Sequence, residues 1–80
     1  MYPNPIKNTA TLEYTLDQPE LLTIQLTDLH GRVLKTFLQK QKQLAGTYFQ
    51  TIDLPNNLPR GMYLVKLGSL EEHIFIKIIR

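Results

Sequence analysis

Apolar positions recur along this chain with a period of two. Leu12, Tyr14 and Leu16 alternate with Glu13 and Thr15, which predicts a half-buried strand over residues 9 to 16. Asp17-Gln18-Pro19-Glu20 breaks the pattern with turn formers. Leu22, Ile24 and Leu26 then alternate with Thr23, Gln25 and Thr27 as a second strand. Asp28-Leu29-His30-Gly31 closes it as a tight hairpin, Gly31 supplying a positive φ and Asp28 a carboxylate for the turn's amides. A third strand is predicted over 32 to about 38, with Val33, Leu34 and Phe37 as its apolar members. Residues 39 to 45 are polar and lack an apolar face, so they read as a loop or the ragged edge of a strand. Gly46 marks a turn or bulge before a fourth strand over 47 to 53, where Tyr48 and Ile52 face one way.

The stretch from 54 to 61 holds two prolines, two asparagines and a glycine, and reads as a loop. A fifth strand over 62 to 67 puts Tyr63, Val65 and Leu67 on one side, and residues 68 to 72 turn the chain into a last strand over 73 to 79. That strand differs from the others. Ile74, Ile76 and Ile78 line one face, but Phe75 and Ile79 weight the other as well. Either it is central and covered on both sides, or one face is a contact surface. Lys77 is then a gatekeeper against edge-to-edge aggregation or a recognition residue. Short strands at regular spacing with turn signals between them predict an all-β, immunoglobulin-like antiparallel sandwich of two sheets and six or seven strands, the seventh near residues 2 to 6.

Length limits what such a fold can do. Eighty residues make one domain at most, and a chain this short buries only about 60% of its unfolded surface, leaving little room for an enclosed active site. There is no cysteine, hence no disulfide and no thiolate metal site. The formal charge is +2, with Lys and Arg scattered among acidic residues, which argues against nucleic acid as a partner. No apolar run approaches the length that spans a bilayer; Ile74-Phe75-Ile76 stops at Lys77. Tyr2-Pro3-Asn4-Pro5 reads as a turn leading into a strand, so Met1 is expected to be an added start on a domain (residues 2 to 80) cut from a longer parent.

Candidate chemistry is sparse. His30 falls in a turn and His73 at a strand start, and neither has a second ligand at metal-like spacing. Asp17, Asp28 and Asp53 lie on different turns without an Asp-rich calcium loop. Glu71-Glu72 is a pair by adjacency only. Ser69, the single serine, has no Gly-x-Ser-x-Gly around it. The expectation is therefore a protein with no catalytic residues, no cofactor, no metal and no small-molecule substrate.

The loops carry more information than the strands. Tyr2-Pro3-Asn4-Pro5 followed by Leu12-Glu13-Tyr14-Thr15-Leu16 resembles the opening of the type A C-terminal sorting domains of the type IX secretion system (the Por secretion family). The strand Leu22 to Thr27 running into Asp28, Gly31, Arg32 and Val33 is similar to that family's alternating strand and its Asp…Gly-Arg turn. Ala45-Gly46-Thr47-Tyr48 looks like its Ala-Gly-x-Tyr element. Leu58-Pro59-Arg60-Gly61-Met62-Tyr63 matches its Leu-Pro-x-Gly-x-Tyr signature, and the chain ends on a Lys-containing apolar strand, Phe75-Ile76-Lys77-Ile78-Ile79-Arg80. Five weak pieces in the right order are together specific. The chain departs from the pattern in having one Lys near its end, with Arg80 in place of a second, and in its polar 39 to 43 stretch.

The resemblance implies a C-terminal secretion signal that sends an upstream cargo domain across the outer membrane. By that reading the cargo passes through the periplasm, a translocon of the outer membrane recognises the folded domain, and a sortase-like protease removes it at the cell surface. The motif residues Tyr2, Pro3, Asn4, Pro5, Asp28, Gly31, Arg32, Gly46, Leu58, Pro59, Gly61, Tyr63, Phe75 and Lys77 become the candidate recognition set. Blander roles compete at each position: prolines that restrict the backbone, glycines required by turns, tyrosines that fill the core. The alternatives at the level of function are a carbohydrate-binding or adhesion module of the same fold, or a structural spacer. A sorting domain has to be the last domain translated, whereas a module or spacer can sit anywhere. Oligomeric state is not readable from the sequence.

Overall fold

The computed structural model describes residues 8–69 and 72–80. The described residues form six strands in order: β1 (Thr9–Leu16), β2 (Glu20–Thr27), β3 (Val33–Gln43), β4 (Gly46–Asp53), β5 (Met62–Gly68) and β6 (His73–Ile79). They make two antiparallel layers, a two-stranded sheet β1-β4 and a four-stranded sheet in the order β3-β2-β5-β6. This is the expected all-β, immunoglobulin-like sandwich. The seventh strand anticipated near residues 2 to 6 lies outside the described residues.

Period-two alternation builds the core. Ala10, Leu12, Tyr14 and Leu16 point inward from β1, and Leu22, Ile24 and Leu26 do so from β2. Ile52, Tyr63, Val65, Leu67 and Ile78 complete the interior from β4, β5 and β6, with Leu54 just beyond β4. Seven of these side chains are essentially sealed from solvent, each stabilising the fold by about 1.5–3 kcal/mol relative to exposure. The two-stranded sheet would be marginal by itself; its apolar face holds it against the larger sheet. Leu54 N–H donates to the Asn8 carbonyl at 2.8 Å, carrying the β1–β4 pairing one step past β4. Thr27 is the one buried polar residue among the described residues, and its hydroxyl donates to the Leu64 carbonyl at 3.5 Å.

Strand pairing decides between the alternatives at two places. First, residues 39 to 43 take the strand alternative and not the loop: β3 continues through them as an 11-residue strand paired to the 8 residues of β2. Three register shifts accommodate the difference, each placing an extra residue on β3. Every bulge resets which side chains face inward, which erases the alternation that would have marked the strand. The same resets leave Val33 about half exposed, while Leu34, Phe37 and Leu38 pack on the core. Second, β6 is not central. Among the described residues it is the outer strand of its sheet, paired to β5, and of its four isoleucines only Ile78 is buried. The contact-surface alternative therefore fits this strand.

Candidate recognition surface

The Asp28…Arg32 turn is held by one carboxylate. Asp28 Oδ1 accepts from the His30 and Arg32 amides at 2.8 and 2.9 Å, while Oδ2 accepts from Arg32 Nε at 2.7 Å. Backbone bonds from Asp28 N–H to the Arg32 carbonyl and from Gly31 N–H to the Asp28 carbonyl close the loop, with Gly31 at φ 86°. The Arg32 guanidinium beside Asp28 holds its carboxyl below the ordinary carboxylate value, helped by the amides. Arg32 itself is 80% exposed. Three motif residues thus act as one turn, with a guanidinium fixed at Nε and open to solvent beyond it.

Two other motif elements prove to be the same device. Tyr63 donates its hydroxyl hydrogen to the Pro59 carbonyl at 2.5 Å, and Tyr48 does so to the Leu44 carbonyl at 2.6 Å. Each bond runs four residues back along the chain, and each spans a glycine two residues before the tyrosine. Gly46 and Gly61 sit at φ 148° and 154°, a region that L side chains rarely adopt. The phenol clamps the backbone that the glycine has bent, the logic of the tyrosine corner of immunoglobulin-like folds. Gly-x-Tyr therefore starts both β4 and β5. Tyr63 is buried and Tyr48 stacks on Tyr14 with centroids 5.5 Å apart, so these tyrosines do structural work. Burial pushes the Tyr14 phenol above its ordinary value, and its hydroxyl donates to Gln43 Oε1 at 2.6 Å.

The loop from 54 to 61 is tied to the end of the chain. Gly61 and Arg80 exchange two backbone bonds, at 2.9 and 3.3 Å, and Arg80 Nη1 donates to the Pro55 carbonyl at 2.6 Å. Leu58 packs against the core, and its N–H reaches the Pro55 carbonyl at 3.2 Å. Sequence reasoning treated Arg80 as a substitute for a terminal lysine and missed this role, which no local pattern announces.

Phe75 and Lys77 lie on the outer face of β6. Register pairs Met62 with Ile79, Leu64 with Lys77 and Lys66 with Phe75. The result is a checkerboard of apolar and cationic side chains, with Met62, Phe75 and Ile79 all more than 40% exposed. Ile74 is also exposed, on the opposite side of the strand. The candidate set therefore divides. Asp28, Gly31, Gly46, Pro59, Gly61 and Tyr63 shape the backbone and Leu58 packs inward, whereas Arg32, Phe75 and Lys77 are presented to solvent. Tyr2, Pro3, Asn4 and Pro5 lie outside the described residues.

Among the described residues, no three His, Asp or Glu side chains gather in a way that would hold a metal ion, and no helix is long and apolar enough to cross a membrane. Comparison with known proteins gives one informative result. A family model described as the secretion system C-terminal sorting domain matches residues 1–80. No curated protein matches, and no solved structure does. With that match over its full length, the chain belongs to the C-terminal sorting domain family and is a sorting signal of type IX secretion.

Proposed function

We propose that the folded domain is read in the periplasm by the outer-membrane translocon of the type IX system, and that a sortase-like protease then separates it from its cargo at the cell surface. The observation that carries this reading is β6, which presents Phe75, Lys77 and Ile79 to solvent on the outer face of its sheet. Exposed apolar side chains gathered on one face mark an interaction site. A receptor packed on this outer face would cover those side chains. In this reading the domain is an address label and performs no catalysis. The family match lends no support to a sugar-binding or adhesion role.

The test is an export assay. Residues 2 to 80 are fused behind a periplasmic signal and a fluorescent reporter in a host with a type IX system. Reporter released or anchored at the surface, and retained when the system is disabled, is the expected result. Retention in the periplasm despite a folded domain refutes the reading.

A further inference from the structure

The outer face of the four-stranded sheet carries a cleft of about 270 Å³ at the end opposite the Asp28 turn. Lys40 from β3, Lys66 from β5 and His73 from β6 line it, together with Thr23 and Gln25 from β2. None of its described lining residues bears a carboxylate. Three strands therefore bring two lysines and a histidine to one concavity, with a threonine and a glutamine whose side chains can donate hydrogen bonds.

Two backbone features build this arrangement. Lys40 is the one non-glycine among the described residues at positive φ, 47°. It occupies the β3 bulge opposite the Leu22–Ile24 step, and its N–H donates to Thr23 Oγ1 at 3.1 Å. A lysine in the left-handed region costs energy that glycine or asparagine would reduce, and a bulge re-aims the side chain it carries. Gly68 faces His73 across the β5–β6 pair. A Cβ at residue 68 would collide with the His73 ring, so the glycine makes the seat on which the imidazole lies.

We infer that this cleft binds a phosphate monoester. The group carries nearly two negative charges at neutral pH and three acceptor oxygens, matching two lysines and convergent donors. The cleft lies just below the volume of ordinary small-molecule sites, about 300 Å³ upward, which suits one phosphate and part of the group it esterifies. The same chemistry is offered by a soluble sugar phosphate and by the headgroup of phosphatidic acid.

The experiment is a titration of the ¹⁵N-labelled full chain with glucose 6-phosphate at constant ionic strength, followed by amide shifts. Saturable shifts centred on residues 40, 66 and 73 are expected. Lys40→Gln and Lys66→Gln should each weaken binding about fivefold, the effect of losing one exposed charge at close range. Lys35→Gln, elsewhere on β3, should leave it unchanged. Non-saturating shifts, or equal weakening by Lys35→Gln, overturn the inference. Vesicles containing phosphatidic acid identify the source: retention that Lys40→Gln and Lys66→Gln reduce assigns a lipid headgroup, and saturable binding of the sugar phosphate alone assigns a soluble ester. Retention indifferent to both substitutions counts against the cleft.

Discussion

At the scale of single residues, the motifs are chiefly backbone chemistry. Gly61 and Tyr63 form one clamp, so they should fail in different ways. Gly61→Ala keeps the phenol but forces a side chain into a glycine region, at a cost of about 1–3 kcal/mol. Tyr63→Phe keeps the packing but removes the hydroxyl from the Pro59 carbonyl, at about 0.5–1.5 kcal/mol. Urea denaturation should show both losses, with smaller effects from Tyr48→Phe at the more exposed clamp. Asp28 gives a pH prediction with a definite sign. Its carboxyl is held lower in the folded chain than in the unfolded one, so its stabilisation is present above the ordinary carboxylate value and is lost as pH falls through the folded one. Melting curves of the wild type and Asp28→Asn should differ at neutral pH and converge in strong acid. A constant gap across that range would show that the ion pair contributes nothing.

The scale of elements shows where sequence reading succeeds and where it stops. β1, β2 and β5 alternate without interruption on their core faces, and their core residues follow from period two alone. β3 defeats the same reading because three bulges shift its phase, and because as an outer strand it needs no strong apolar face. The doubled weight on β6 was legible as an anomaly, but its cause was not. Whether a strand is central or outer depends on strand order, which local periodicity does not encode. Likewise, the Asp28 turn was readable from its residues, while the cleft was not: Lys40, Lys66 and His73 lie on three strands and meet only through topology. For β6 the expected outcome is that Phe75→Asp abolishes reporter export while circular dichroism of the isolated variant stays native. Phe75 is exposed, so the fold should tolerate the change. Undiminished export would remove this strand from recognition.

For the whole molecule, stability is shared between unequal layers. Among the described residues β1 and β4 pair only with each other, so their attachment rests on side chains such as Leu12 and Ile52, both sealed in the core. Ile52→Ala should cost about 2–5 kcal/mol, a large share of the 5–15 kcal/mol typical of a domain. Hydrogen exchange should then show the β1 and β4 amides losing protection before those of β2 and β5. Loss of protection everywhere at once would mean that the two sheets unfold as a single unit.

The stitching of Arg80 to Gly61 and Pro55 has a mechanical consequence. β6 runs antiparallel to β5, and Arg80, one residue past its end, is bonded to Gly61 beside the start of that neighbour. Tension applied at Arg80 and directed away from the sheet loads those terminal bonds first, and then the ladder pair by pair. Tension applied along the strands loads many bonds together. The domain is therefore built to yield at low force when peeled from its C-terminal end, and to resist when sheared. Arg80→Ala, which releases the side-chain tie to the Pro55 carbonyl, should lower the peeling force in optical-trap measurements while leaving the shearing force unchanged.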